Sequence, residues 1–212
     1  MKINNIKSEL IREYLDSIHS TYDKICIEFD KISNSCKNPT EILHELKPTI
    51  IQEWQKMYKS FVLKPIEDDV MSLFNKIQTD EFEKSKSIIK KVQIFEVYYY
   101  TAQYFYIFVL PVGADQEFDD FPRFEIKMNE NNLTLKSLFS EMMLELDIMV
   151  SYELWWEIIL KDLREYDLLY DFLSYCWLTM KSKTETNITA ILSEATGFGT
   201  TVFLDGSKKK YD

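Results

Sequence analysis

The chain has 212 residues, 46% of them hydrophobic and 28% charged, with 13 Tyr and 14 Phe but only 4 Gly. It is long enough to bury a core without covalent staples, too apolar for disorder, and too poor in glycine for a Gly-rich phosphate loop. The net charge of -10 is local: residues 1–110 carry 15 Lys/Arg against 16 Asp/Glu, residues 111–180 carry 5 against 15, and residues 181–212 carry 5 against 4.

From the N-terminus, Ile3, Ile6, Leu10, Tyr14, Ile18, Tyr22, Ile25, Phe29 and Ile32 recur at spacings of three and four. That places them on one face of a long amphipathic helix over residues 3–32, stopped by the Ser/Asn-rich run before Pro39. Thr40 is the expected N-cap of a short helix ending before Pro48, and a further helix runs from Pro48 to Leu63. Pro65 opens a turn or helix to Ile77. Thr79 or Asp80 then caps a basic helical segment from Glu81 to Lys91.

At Val92 the composition turns to Val, Ile, Tyr and Phe, which predicts strands over 92–101 and 103–112. A continuous helix over 80–108 is the alternative. Residues 94–112 carry one charge, Glu96, but five Tyr, so a membrane span is not the expectation. Phe124, Ile126 and Met128 alternate with charged residues and predict a half-buried strand. Residues 134–149 read as a helix capped by Asn132 or Thr134. Residues 152–180 read as another helix, or two joined. On its wheel Trp155, Ile158, Ile159, Leu163, Tyr166, Leu169, Tyr170, Leu173, Cys176 and Trp177 share one arc, and Asp162 stands inside that arc as an anomaly. Its expected role is a structural bond or a helix junction. Ile188–Ser193, Gly197-Phe198-Gly199 and Thr200–Leu204 read as a C-terminal hairpin over 188–205. The predicted architecture is therefore a single α+β domain over 1–212. It is helical over 1–91, with strands in 92–128 and helices over 134–180 packed on a small antiparallel sheet. The all-α fold is the alternative.

The search for chemistry is largely negative. There is no P-loop, no Gly-x-Ser-x-Gly elbow, and Gly197-Phe198-Gly199 lacks the third glycine of a dinucleotide fingerprint. His19 and His44 have neither zinc spacing nor a partner nucleophile, and read as surface residues. Cys26, Cys36 and Cys176 form no metal or redox pair, and Cys176 lies in acidic sequence that raises a thiol pKa. The loop Asp115, Glu117, Asp119, Asp120 fails as a calcium loop, because its sixth position is Asp120 and its twelfth is Ile126. No cofactor and no metal are expected.

What remains is the acidity. Glu141/Glu145, Glu153/Glu157 and Asp167/Asp171 are like-charge pairs at i,i+4, each costing a helix a few tenths of a kcal/mol. Together with Asp115, Glu117, Asp119 and Asp120 they form a candidate acidic surface. A solvated face that serves solubility is the plain explanation. The functional expectation is a non-enzymatic, cytoplasmic binding protein that neutralises a basic protein, in the manner of a bacterial toxin-immunity protein. A field of that sign works against nucleic-acid or anionic-membrane ligands. The absence of an apolar N-terminal stretch argues against a secretory signal. The alternatives are a metal-dependent enzyme using Asp162 or the loop acids, and a nucleic-acid mimic with phosphate-like carboxylate spacing.

Overall fold

A computed structural model describes residues 3–35, 38–79, 89–99, 102–111, 123–127, 131–148, 150–163, 165–181, 188–194 and 202–204. Helical residues far outnumber strand residues among them, and in that respect the chain stands nearer the all-α alternative than a fold led by a sheet. The chain divides into two compact units, each assembled from separated stretches: residues 1–61 with 131–165, and residues 62–130 with 166–212.

The first unit is all helix. Helix α1 covers Ile3–Ser33. Its side chains Thr21 and Ile25 are fully buried, at the three/four spacing expected of the stripe. It ends where Asn34 and Ser35 turn back to take the carbonyls of Asp30 and Ile32, occupying acceptors a helix end leaves open. Helix α2 covers Pro39–Tyr58 as one element, not the two expected at Thr40 and Pro48. Its cap is Asn38, whose side chain accepts from the Thr40 amide at 3.0 Å, and Pro39 takes the first turn, where no amide is needed. Pro48 does not end the helix. It and His44, whose carbonyl loses the proline's missing N–H, both face solvent. The buried stripe Leu43, Leu46, Ile50, Trp54 and Met57 runs past it unbroken.

After α2 the chain widens into a π turn over Lys59–Leu63 and tightens into a 3-10 turn over Lys64–Ile66. Pro65 lies in that turn, where its missing amide removes one hydrogen bond to the preceding turn. Phe61, on the π turn, meets Tyr14 of α1 edge to face at 5.0 Å. Helix α2 packs on α1 and also on the two later helices of this unit, α4 (Asn131–Glu145) and α5 (Tyr152–Ile158).

Helix α4 starts ahead of the expected caps Asn132 and Thr134, so neither caps it. It ends at Glu145, short of residue 149, because Asp147 adopts φ 58. The Asp147 amide reaches Leu144 O at 3.0 Å and the Ile148 amide reaches Met143 O at 2.9 Å, the paired bonds of a Schellman stop. A 3-10 turn, Leu160–Asp162, follows α5 and separates it from α6 (Glu165–Lys181). The segment 152–180 is thus two joined helices.

The second unit holds α3 (Glu67–Gln78), α6 and all the strands. Glu67, Asp68 and Asp69 occupy the first turn of α3, where carboxylates favour the helix dipole. Thr79 ends this helix in extended conformation with its amide on Asn75 O, so it is a helix stop here. The expected segment 81–91 lies mainly outside the described residues. Its last part is strand, because Ile89 pairs with Pro111 and Lys91 with both Leu110 and Thr189, and that pairing overrides local helical preference. Strands β1 (Ile89–Tyr99), β2 (Ala102–Pro111), β3 (Arg123–Lys127), β4 (Thr189–Glu194) and β5 (Val202–Phe203) form a sheet in the order β3-β2-β1-β4-β5.

The expected all-antiparallel sheet needs correction. β1 and β4 run parallel, from Lys91↔Thr189 to Glu96↔Glu194. A parallel pair needs a long crossover, and the helical stretch between β3 and β4 supplies it. The other pairs, including β4 with β5 of the C-terminal hairpin, are antiparallel. In the same unit Phe74 of α3 meets Trp177 of α6 edge to face at 5.2 Å, and Gln78 donates to the Trp177 carbonyl at 3.2 Å.

Glu53 is a charged residue buried in the first unit, 5% exposed on α2. Lys24 of α1 donates to it at 2.7 Å, Thr21 at 3.4 Å, and Lys56 stands 3.9 Å away. A carboxylate out of water persists only when paired in this way. Lys24→Met should therefore cost about 1–2 kcal/mol, discounted because Lys24 is itself half exposed, and adding Glu53→Gln should recover part of that loss in denaturant titrations. Asp147→Gly should raise stability by about 0.5–1 kcal/mol, and Asp147→Val should lower it by about 1–2 kcal/mol, since only glycine takes a positive φ without cost.

Candidate acidic interface

The acids of the candidate surface reach solvent by a common rule. Each of α4, α5 and α6 buries one stripe and turns the opposite side outward. Among the described side chains, α4 buries Phe139, Met142 and Met143; α5 buries Trp155 and Ile158; and α6 buries Leu168, Leu169, Leu173, Ser174, Cys176, Trp177 and Met180. Glu141 and Glu145, Glu153 and Glu157, and Asp167 and Asp171 are exposed on the other sides. The first four belong to one unit and the last two to the other. Asp115, Glu117, Asp119 and Asp120 lie outside the described residues.

Between the members of each pair, three residues after the first, stands a large apolar or aromatic side chain. On α4 it is Leu144, 62% exposed; on α5 it is Trp156, 52% exposed; on α6 it is the half-buried Tyr170. Side chains three and four apart are neighbours on a helix surface, so the apolar side chain lies beside the first acid of its pair, while the second acid, next to it in sequence, points about 100° away. Further along the same face of α6 come Tyr175 at 55% and Leu178 at 41% exposure. Attention to carboxylates alone misses these residues. For Leu144 and Trp156 the i,i+3 spacing from an acid to an apolar side chain outside the buried stripe is the sequence signal; Tyr170 belonged to the apolar arc and carried none.

Local contacts tune one of the acids and a tyrosine beside another. The Glu153 carboxyl is held below the usual range, first by its own backbone amide and then by the Ser151 hydroxyl. Ser151 also caps α5, accepting from the Leu154 amide at 3.3 Å. Glu145 faces α1, where the Tyr22 phenol is pushed up to about 12, first by its hydrogen bond to Cys26 and further by Glu145.

Compared with protein-family models, curated proteins and solved structures, the chain matches none.

The other candidates fall into structural places. Asp162 sits on the 3-10 turn at the α5–α6 junction and pairs with Lys47 of α2. His19 and His44 are exposed on α1 and α2. Among the described residues no group of three or more His, Cys, Asp or Glu is placed to hold a metal ion, and no helix is long and apolar enough to cross a membrane. The Cys176 thiol is pushed up to about 12, first by burial and then by the charge of Glu67. The sequence suggested a raised value but located its cause in the wrong place: burial leads, and the acid comes from α3.

A thiol with so high a pKa is neutral and unreactive near neutrality. Iodoacetamide should modify Cys176 only after unfolding, read by peptide mass mapping. The sign of the linkage follows. The folded thiol keeps its proton between pH 9 and about 12 while the unfolded one loses it, so this contribution to stability is complete below pH 9 and is lost as pH rises. Cys176→Val should flatten the alkaline limb of the stability profile.

Proposed function

We propose that this is a non-enzymatic cytoplasmic binding protein that neutralises a basic protein, acting as a bacterial toxin-immunity protein does. The observation that carries it is that Trp156 and Leu144 are exposed, each one turn from the first glutamate of an acidic pair. Solubility accounts for surface carboxylates, but it gives no reason to leave an indole half in water. Binding surfaces combine aromatic anchors with a charged rim in this way. The like-charge pairs carry a local cost in the free protein that a cationic partner removes. The concentration of the net charge in residues 111–180 gives the field that steers such a partner, with association that slows as salt rises.

The test is capture from the host with the full chain as bait, at low and high salt, followed by co-expression. A basic protein should be retained at low salt, be toxic when expressed alone, and be harmless when expressed with this chain. The variant carrying Glu141→Gln, Glu145→Gln, Glu153→Gln and Glu157→Gln should associate with it about 10-fold or more slowly at low salt, as steered association loses its field. Retention of no basic protein, or toxicity unrelieved by co-expression, overturns the proposal.

A further inference from the structure

Helices α1 and α2 meet along one seam but are covered to different depths. On α2 the stripe Leu43, Leu46, Ile50, Trp54 and Met57 is at most 1% exposed. Among the described side chains of α1, Thr21 and Ile25 are buried, whereas Tyr14, Ile18, Tyr22, Phe29 and Ile32 of the same stripe are only half-buried. Leu15 and Ile27 of α1 stand 49% and 57% exposed. Apolar area left in water contributes nothing to the seam, so α1 is held by less burial than α2.

The middle of the seam is polar. Glu53 of α2 is 5% exposed, and two of its partners come from α1: Lys24 donates at 2.7 Å and Thr21 at 3.4 Å. Thr21 also lies 3.5 Å from the Met57 sulfur. When α1 lifts away these bonds are lost, but the carboxylate regains its water, so the two changes largely offset. A seam built this way opens more readily than an apolar one. Beyond it, α1 is joined through half-buried or exposed groups: Tyr14 on Phe61, and Tyr22 with Glu145. Helix α2 packs also on α4 and α5, so its buried stripe has partners besides α1.

We infer that α1 is a strap that opens from α2 as one cooperative unit while the rest of the first unit stays folded, with the Glu53 clasp as its fastening. Opening bares Glu53 and Met57 on α2, which the closed strap covers with Lys24 and Thr21. The device belongs to this chain alone and is independent of the partner proposed above.

Amide hydrogen exchange of the full chain, followed in low urea below the unfolding transition, tests this. The amides of residues 18–29 should share one opening, about 10-fold or more less protected than the slowest amides of α2, and with a shallower urea dependence because less surface is exposed. Lys24→Met strands the buried Glu53 in the closed state, so exchange in α1 should speed about 10-fold, and adding Glu53→Gln should return part of that. Ile158→Val, on α5, removes packing that the open form keeps. It should therefore speed the slowest amides of α2 by about 3- to 10-fold and leave those of α1 unchanged. Protection of residues 18–29 equal to that of the slowest α2 amides overturns the inference, as does exchange in α1 that ignores Lys24→Met. Ile158→Val speeding α1 and α2 alike overturns it too, since α1 then opens only when the unit unfolds.

Discussion

The first unit depends on one continuous stripe of α2. Leu43, Leu46, Ile50, Trp54 and Met57 are each at most 1% exposed, and they keep their spacing across Pro48. Burying such side chains is worth about 1.5–3 kcal/mol each, against about 3 kcal/mol for a proline in a helix interior. The stripe therefore outweighs the break, and the break itself is softened because Pro48 and His44 face water. An α2 interrupted at residue 48 could not present one surface to α1, α4 and α5. The outward faces of α4 and α5, with their acidic and apolar side chains, are set by how those helices bury their other sides against that framework.

Two carboxylates show how position decides the role of a charge. Glu53 lies within the α2 stripe, and its burial is offset by Lys24, Thr21 and the more distant Lys56. It ties α1 to α2 through a geometry that an apolar residue would not specify, at a desolvation cost that the pairing compensates. Asp162 occupies the apolar arc only if residues 152–180 wind as one regular helix. The 3-10 turn rotates it out of that arc, to 40% side-chain exposure and to Lys47. At such exposure the pair contributes up to about 1 kcal/mol and serves to hold a junction.

The surface acids follow the opposite logic from Glu53. They stand in water, where repulsion at i,i+4 is weak but unfavourable, and the apolar residue beside the first of them gains nothing from solvent. Composition describes the acidity, yet composition is indifferent to whether an acid stands beside an indole or beside another acid. The patch on α5 differs from that on α4 in one side chain, Trp156 against Leu144, so one presents an indole face to solvent and the other only aliphatic area.

Much of the fold was legible in the sequence because it rests on periodicity. The stripe of α1, the stop at Asn34–Ser35, the β-rich change at Val92 and the alternation at Phe124–Ile126 all follow from spacing and residue type. The three carboxylate pairs, and their outward direction on α4, α5 and α6, followed from the same spacing. Three other features were settled by contacts that sequence-local preference does not contain. Pro48 stays within a helix because tertiary burial continues past it. Ile89–Lys91 is strand because Pro111, Leu110 and Thr189 lie alongside. The sheet carries a parallel pair because β4 returns after a long helical crossover. The sequence by itself determined which residues are apolar or charged and at what period. Tertiary structure decided which period was interrupted, and so left Asp162 at a junction, Glu53 in the core and Trp156 in water, since burial is a property of neighbours brought together from distant parts of the chain.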